Sequence, residues 1–216
     1  MKLDSSHPQN NTARLLTIIL LYSFSMFLGC AKEDPQKEAV PELITEAILT
    51  FTPKGGGNSV VVTASDPDGE GVQNIKVNGS INLLGNKTYL LTIDLINGLA
   101  DPTTPEYNIS DEIEKEGDEH ILFFSWTNNA YANPAGNGNI DNRKDPVNYS
   151  GDTNSKDANG LALGLTTIWT TEMITGATIE SSFRLMLKHQ PGLKTDTSDS
   201  NMGETDLDIT FTLNII

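Results

Sequence analysis

Two histidines stand where strands would end. His120 opens the apolar run HILFFSW, and His189 closes the run that begins at Thr178. Glu116, Asp118 and Glu119 precede the first, and Gln190-Pro191 follow the second. Imidazole nitrogen beside carboxylate oxygen is a donor set suited to zinc or copper, because these ions take borderline nitrogen ligands and accept oxygen beside them. No H-x-x-x-H spacing supplies such a pair locally. The two histidines therefore make one divalent-metal centre only if their strands pair, which would bring Glu204 and Asp206 to the same rim. The competing reading gives each histidine a hydrogen bond that caps its own strand end.

Other chemistries find less support. The G-x-S-x-G elbow of a serine hydrolase is absent, and so is a Gly-rich phosphate loop between a strand and a helix. No catalytic residue is expected, and the chain reads as a non-enzyme. The loops DPDGEG (from Asp66) and DTNSKDANG (from Asp152) are rich in the oxygen ligands calcium prefers. Counted from Asp152, however, Lys156 takes the fifth position of an EF-hand loop and Leu163 the twelfth, so ordinary turn chemistry explains them better. Trp126, Tyr131, Tyr149 and Trp169 fall at strand ends or in loops, where they either stack on a sugar or close the ends of a core.

The sole cysteine, Cys30, ends a segment with a different purpose. Residues 1–14 are polar and carry Lys2 and Arg14, and the next 14 residues, Leu15 to Leu28, are almost wholly apolar. A membrane-spanning helix needs about 20 apolar residues, so the run has the length of a secretory signal instead. Gly29 then offers a small residue at a cleavage site before Cys30.

Composition bounds the rest. Loss of residues 1–29 removes Lys2, Arg14 and Asp4 and takes the formal charge from −15 to −16. Such a surface repels phosphate, so nucleic acid is excluded as a partner. Residues 30–41 read as the modified cysteine and a tether, and 42–216 as one domain, large enough to bury a core without disulfides.

Within that domain the apolar pattern has period two. Strands are expected at 48–51, 59–65, 72–77, 87–96, 120–126, 147–150, 163–171, 178–189 and 206–215, with a helical turn at 109–116. Residues 127–145, rich in Asn, Gly and Pro, read as a long loop. Eight or nine short strands with one helical crossover predict an all-β fold, an antiparallel immunoglobulin-like β-sandwich, with an up-and-down barrel as the competing architecture.

Phe27-Leu28-Gly29-Cys30 resembles a bacterial lipobox, with Phe27 where the pattern prefers Leu. The resemblance implies fatty acyl chains such as palmitate on Cys30 and an anchor in the outer membrane. Lys32, Glu33 and Asp34 resemble the acidic export signal of Bacteroidota lipoproteins, which leaves the domain either surface-exposed or facing the periplasm. The spacing of SDPDGEG, EIEKEGDEH, LGLTTIWTT, LKHQP and GETDLDITFTLNI is similar to an uncharacterised family of these lipoproteins. Its members are often labelled as a type 1 periplasmic binding fold, which the strand-rich pattern here does not support. The expectation is a non-enzymatic lipoprotein that binds a small ligand or an outer-membrane receptor without a resident cofactor, with metal binding through His120 and His189 as the alternative.

Overall fold

The computed structural model describes residues 42–66, 75–138 and 154–216. Cys30, the triplet Lys32, Glu33 and Asp34, and the expected strand at 147–150 lie outside the described residues.

Alternation builds the strands. β1 (Glu46–Pro53) buries Ala47, Leu49 and Phe51, and its hairpin partner β2 (Val60–Ser65) buries Val62 and Ala64. Gly56 and Gly57 close that hairpin with φ of 85° and 122°, values that a Cβ opposes. β3 (Lys76–Asn78) and β4 (Ile81–Leu83) are short, whereas β5 (Thr88–Ile96) buries Tyr89, Leu91, Ile93 and Leu95 on one face. A 3-10 turn at Pro105–Tyr107 leads into the single described helix, α1 (Ile109–Lys115). The Asn108 side chain accepts the Asp111 N–H at its start, and Ile109 and Ile113 turn into the core. β6 (His120–Asn133), β7 (Ala135–Gly138), β8 (Thr166–Thr171), β9 (Ile179–His189) and β10 (Glu204–Ile215) complete the order.

The fold is all-β with one short helical crossover. Its ten described strands form one hydrogen-bonded path, β3-β2-β1-β5-β8-β6-β9-β10-β4, with β7 paired to β6. Every pairing among the described residues is antiparallel except that of β10 with β4, which is parallel. β3 and β4 lie at opposite extremes of the path, yet only Gly79-Ser80 separate them in the chain. The sheet must therefore curl until its edges approach, and β2 meets β4 while β3 meets β10. Opposing walls touch across the interior, as where the rings of Phe51 on β1 and Phe183 on β9 stand 6.0 Å apart.

Two segments depart from the sequence pattern. Residues 127–133, expected in a loop, continue β6 and return through β7. The asparagines that read as loop are a bulge: Asn128 and Asn129 take φ of 54° and 49°, a region Asn tolerates, and the strand resumes after them. β4 was not expected, because three residues carry no measurable period. Trp126, Tyr131 and Trp169 are buried at 1%, 0% and 0% exposure, so they close the core and present no face to a sugar; Tyr149 lies outside the described residues.

Candidate metal centre

The inner face of β6 presents His120, Leu122, Phe124 and Trp126 in turn. In register on β9 stand His189, Leu187, Leu185 and Phe183. The two histidines thus occupy the last layer of the interior, where continuation of the pattern would place an apolar pair. Their rings stack with centroids 4.5 Å apart and planes 7° from parallel.

β10 adds the acids. Glu204 is the register partner of His189, and Thr205 and Leu207 pair with Lys188 and Leu187. Asp206 is the extra residue of that bulge. It would face outward in the alternation set by Leu207, Ile209 and Phe211, but the bulge turns it inward to 1% exposure. Its Oδ2 lies 4.0 Å from His120 Nε2, and Glu42 Oε1 lies at the same 4.0 Å distance. Exposed Glu204 stays at the rim.

Hydrogen bonds fix the tautomers. His120 Nδ1 sits 3.1 Å from the Glu116 carbonyl, which can only accept, so Nδ1 carries the hydrogen and Nε2 keeps its lone pair. Fully buried, that Nε2 has no hydrogen-bond partner. His189 Nε2 lies 3.2 Å from Glu119 Oε2 and donates to it, which leaves Nδ1 as the other unpartnered nitrogen. Burial pushes His120 down to about 4, with the nearby His189 acting in the same direction and the Glu116 carbonyl against it. At neutral pH the ring is uncharged, the form in which an imidazole can ligate a metal. Burial likewise pushes the Asp206 carboxyl up to about 6, opposed by His189 and the Glu42 amide and reinforced by Glu204. Neither Asp206 oxygen has a hydrogen-bond partner within ordinary distance.

Ligand atoms of Glu116, His120 and His189 all lie within 4.8 Å of one another. Glu42, Glu112 and Glu116 form a second such group. Zinc–nitrogen bonds are about 2.0–2.1 Å long and lie in the ring plane, so a shared ion would require the two stacked imidazoles to rotate and bring these atoms closer. No family model, curated protein or solved structure matches the chain. The geometry of the centre therefore stands on its own residues.

Sequence reasoning made the meeting of His120, His189, Glu204 and Asp206 at one rim depend on strand pairing; the register brings the first three together and the bulge adds Asp206, while each histidine also makes the hydrogen bond of the competing reading. It treated Glu116 only as a neighbour, although its position four residues before His120, at the end of a helical turn, is a usable signal. Glu42 carries no signal at all, since it precedes the first strand. Of the oxygen-rich loops, 67–71 and 151–153 lie outside the described residues. Asp157 in the second loop spends its carboxylate on protein donors: Oδ1 accepts the Asn159 and Leu161 amides at 2.9 Å each, and Oδ2 accepts Lys194 Nζ at 2.9 Å.

Proposed function

We propose that the chain is a lipid-anchored envelope protein whose strand-built domain binds one divalent transition-metal ion, zinc or copper. His120 Nε2 and His189 Nδ1 are the nitrogen ligands, with oxygen ligands drawn from Asp206, Glu42 and Glu116. One observation carries this reading: a fully buried imidazole nitrogen has no hydrogen-bond partner while two carboxylate oxygens face it at 4.0 Å. A buried polar atom left unsatisfied costs about 1–3 kcal/mol, and an ion in that position would satisfy it. The Glu116 carbonyl on His120 and the Glu119 carboxylate on His189 supply the outer hydrogen bonds that orient ligating imidazoles. The expected role is capture or transfer of the ion, and no catalytic residue is assigned.

The anchor belongs to the same proposal. Attachment through several acyl chains at Cys30 would hold the domain at the outer membrane, because one chain alone binds only marginally. Among the described residues no helix is long and apolar enough to cross a membrane.

Zinc titration by calorimetry tests the centre. The full chain should bind one equivalent through the imidazoles, and the double variant His120→Ala/His189→Ala should lose that binding while keeping a strand-type circular dichroism spectrum. Undiminished binding in the folded double variant rejects the assignment.

A further inference from the structure

The groups around the metal centre differ in what holds them. His120 and His189 are register partners on β6 and β9, Asp206 sits in the bulge of β10, and Glu116 closes α1 with its N–H on the Glu112 carbonyl at 2.9 Å. Glu42 comes from the chain ahead of the sheet. β1 begins at Glu46, and the residue before it is fixed: the Thr45 N–H and Oγ1 both donate to the Ile96 carbonyl, at 2.9 and 3.2 Å, and Oγ1 accepts the Gly98 amide at 2.7 Å. Ile44 is buried beside it, but Leu43 is 37% exposed.

Residue 42 meets the centre twice. Its carboxylate lies 4.0 Å from His120 Nε2, and its backbone N–H acts on the Asp206 carboxylate, against the upward push of burial there. Its side chain is 12% exposed, against 0% for both His120 and Asp206, so of these three it is the one nearest solvent.

We propose that Glu42 is the exchange ligand of the metal centre: it closes on the ion after the imidazoles have taken it, and through it occupancy of the centre is coupled to the order of the segment that leads into the domain. The inference rests on the reading of the histidines as a metal centre. A ligand on paired strands moves only with the sheet, whereas residue 42 reaches the ion by rotation about the two residues that separate it from Thr45. Loss of its carboxylate leaves both imidazoles and Asp206 in place, so the ion still binds but leaves sooner. The coupling is reciprocal. Whatever draws residue 42 away from the centre speeds release of the ion.

The experiment uses the full chain loaded with one equivalent of zinc. Two quantities are read: amide hydrogen exchange at Glu42 and Leu43 with and without zinc, and the rate at which excess chelator strips the ion. In the wild-type chain zinc should slow exchange at both amides about tenfold. Glu42→Gln should still take up one zinc, lose that added protection and release the ion about tenfold faster. Wild-type exchange that zinc does not change, or release from Glu42→Gln at the wild-type rate, overturns the proposal and leaves the imidazole centre standing. Failure of the wild-type chain to take up zinc rejects the centre itself, and the exchange ligand with it.

Discussion

At His120 and Asp206 two buried titrations oppose each other. Burial holds His120 at about 4, below its ordinary 6.5, so between these values the unfolded chain carries the extra proton and stability falls as pH drops. Burial holds Asp206 at about 6, above its ordinary 3.8, so there the folded chain carries the extra proton and stability falls as pH rises. The two slopes nearly cancel from about pH 4 to 6 in the metal-free protein. Single variants should unmask them. Asp206→Asn should lose stability on acidification from 6.5 to 4, and His120→Gln should lose it on raising pH from 4 to 6, each by about 3 kcal/mol at the rate of ~1.4 kcal/mol per unit. Urea titrations at several pH values check the signs, and parallel profiles in the two variants contradict the account. A different buried atom makes the opposite kind of prediction. The Tyr131 hydroxyl is enclosed among Trp126, Trp169 and Phe183 with no hydrogen-bond partner. Tyr131→Phe should melt no lower than wild type, since removal of an unsatisfied hydroxyl recovers about 1–3 kcal/mol. A lower melting temperature would show that the hydroxyl is satisfied.

The elements that hold the site are two strand ends and the turn between them. Gly203, just before β10, has φ of 70°, and a Cβ there would overlap the His189 carbonyl oxygen. Gly192, in the same connection, has φ of 65° but nothing near its missing Cβ. Gly203→Ala should therefore displace His189 and weaken zinc binding, whereas Gly192→Ala should cost only the backbone strain of about 1–2 kcal/mol and leave zinc binding intact. Calorimetry on the two variants separates displacement from strain, and equal effects on zinc would contradict the placement of Gly203. β10 is the wall these strands share, pairing β9 on one side and β4 on the other. Removal of 207–216 takes Leu207, Ile209, Phe211, Leu213 and Ile215 from the core, and the remainder should show no cooperative melt. The same elements show what could be read from the chain. Both histidines continue the inner-face phase of long apolar runs, so their meeting follows once β6 and β9 pair. Asp206 was legible as a neighbour but not as buried, because a bulge reverses the phase that alternation assigns to it. The Asn-rich stretch after Trp126 looks like a loop to any composition rule, and only a bulge with two positive φ values lets a strand pass through it. β4 pairs with a strand more than a hundred residues away and is too short to announce itself.

For the molecule as a whole, charge, anchor and curl have separate consequences. A formal charge of −15 favours cations near the surface without choosing among them; in the proposed function the choice comes from the donor atoms at one end of the curled sheet. If Cys30 carries the lipid, wild-type protein should partition into the detergent phase of a cloud-point separation and Cys30→Ser into the aqueous phase. Equal partition of both would remove the anchor from the account without touching the metal centre. That centre is tested most directly by anomalous scattering at the zinc edge from crystals grown with zinc. The account predicts a peak at the nitrogen edges of the two rings, about 2.1 Å from His120 Nε2 and His189 Nδ1, with the rings rotated out of their parallel stack so that both lone pairs meet it. A fully zinc-equilibrated crystal with no peak there, and both nitrogens still unpartnered, would contradict it.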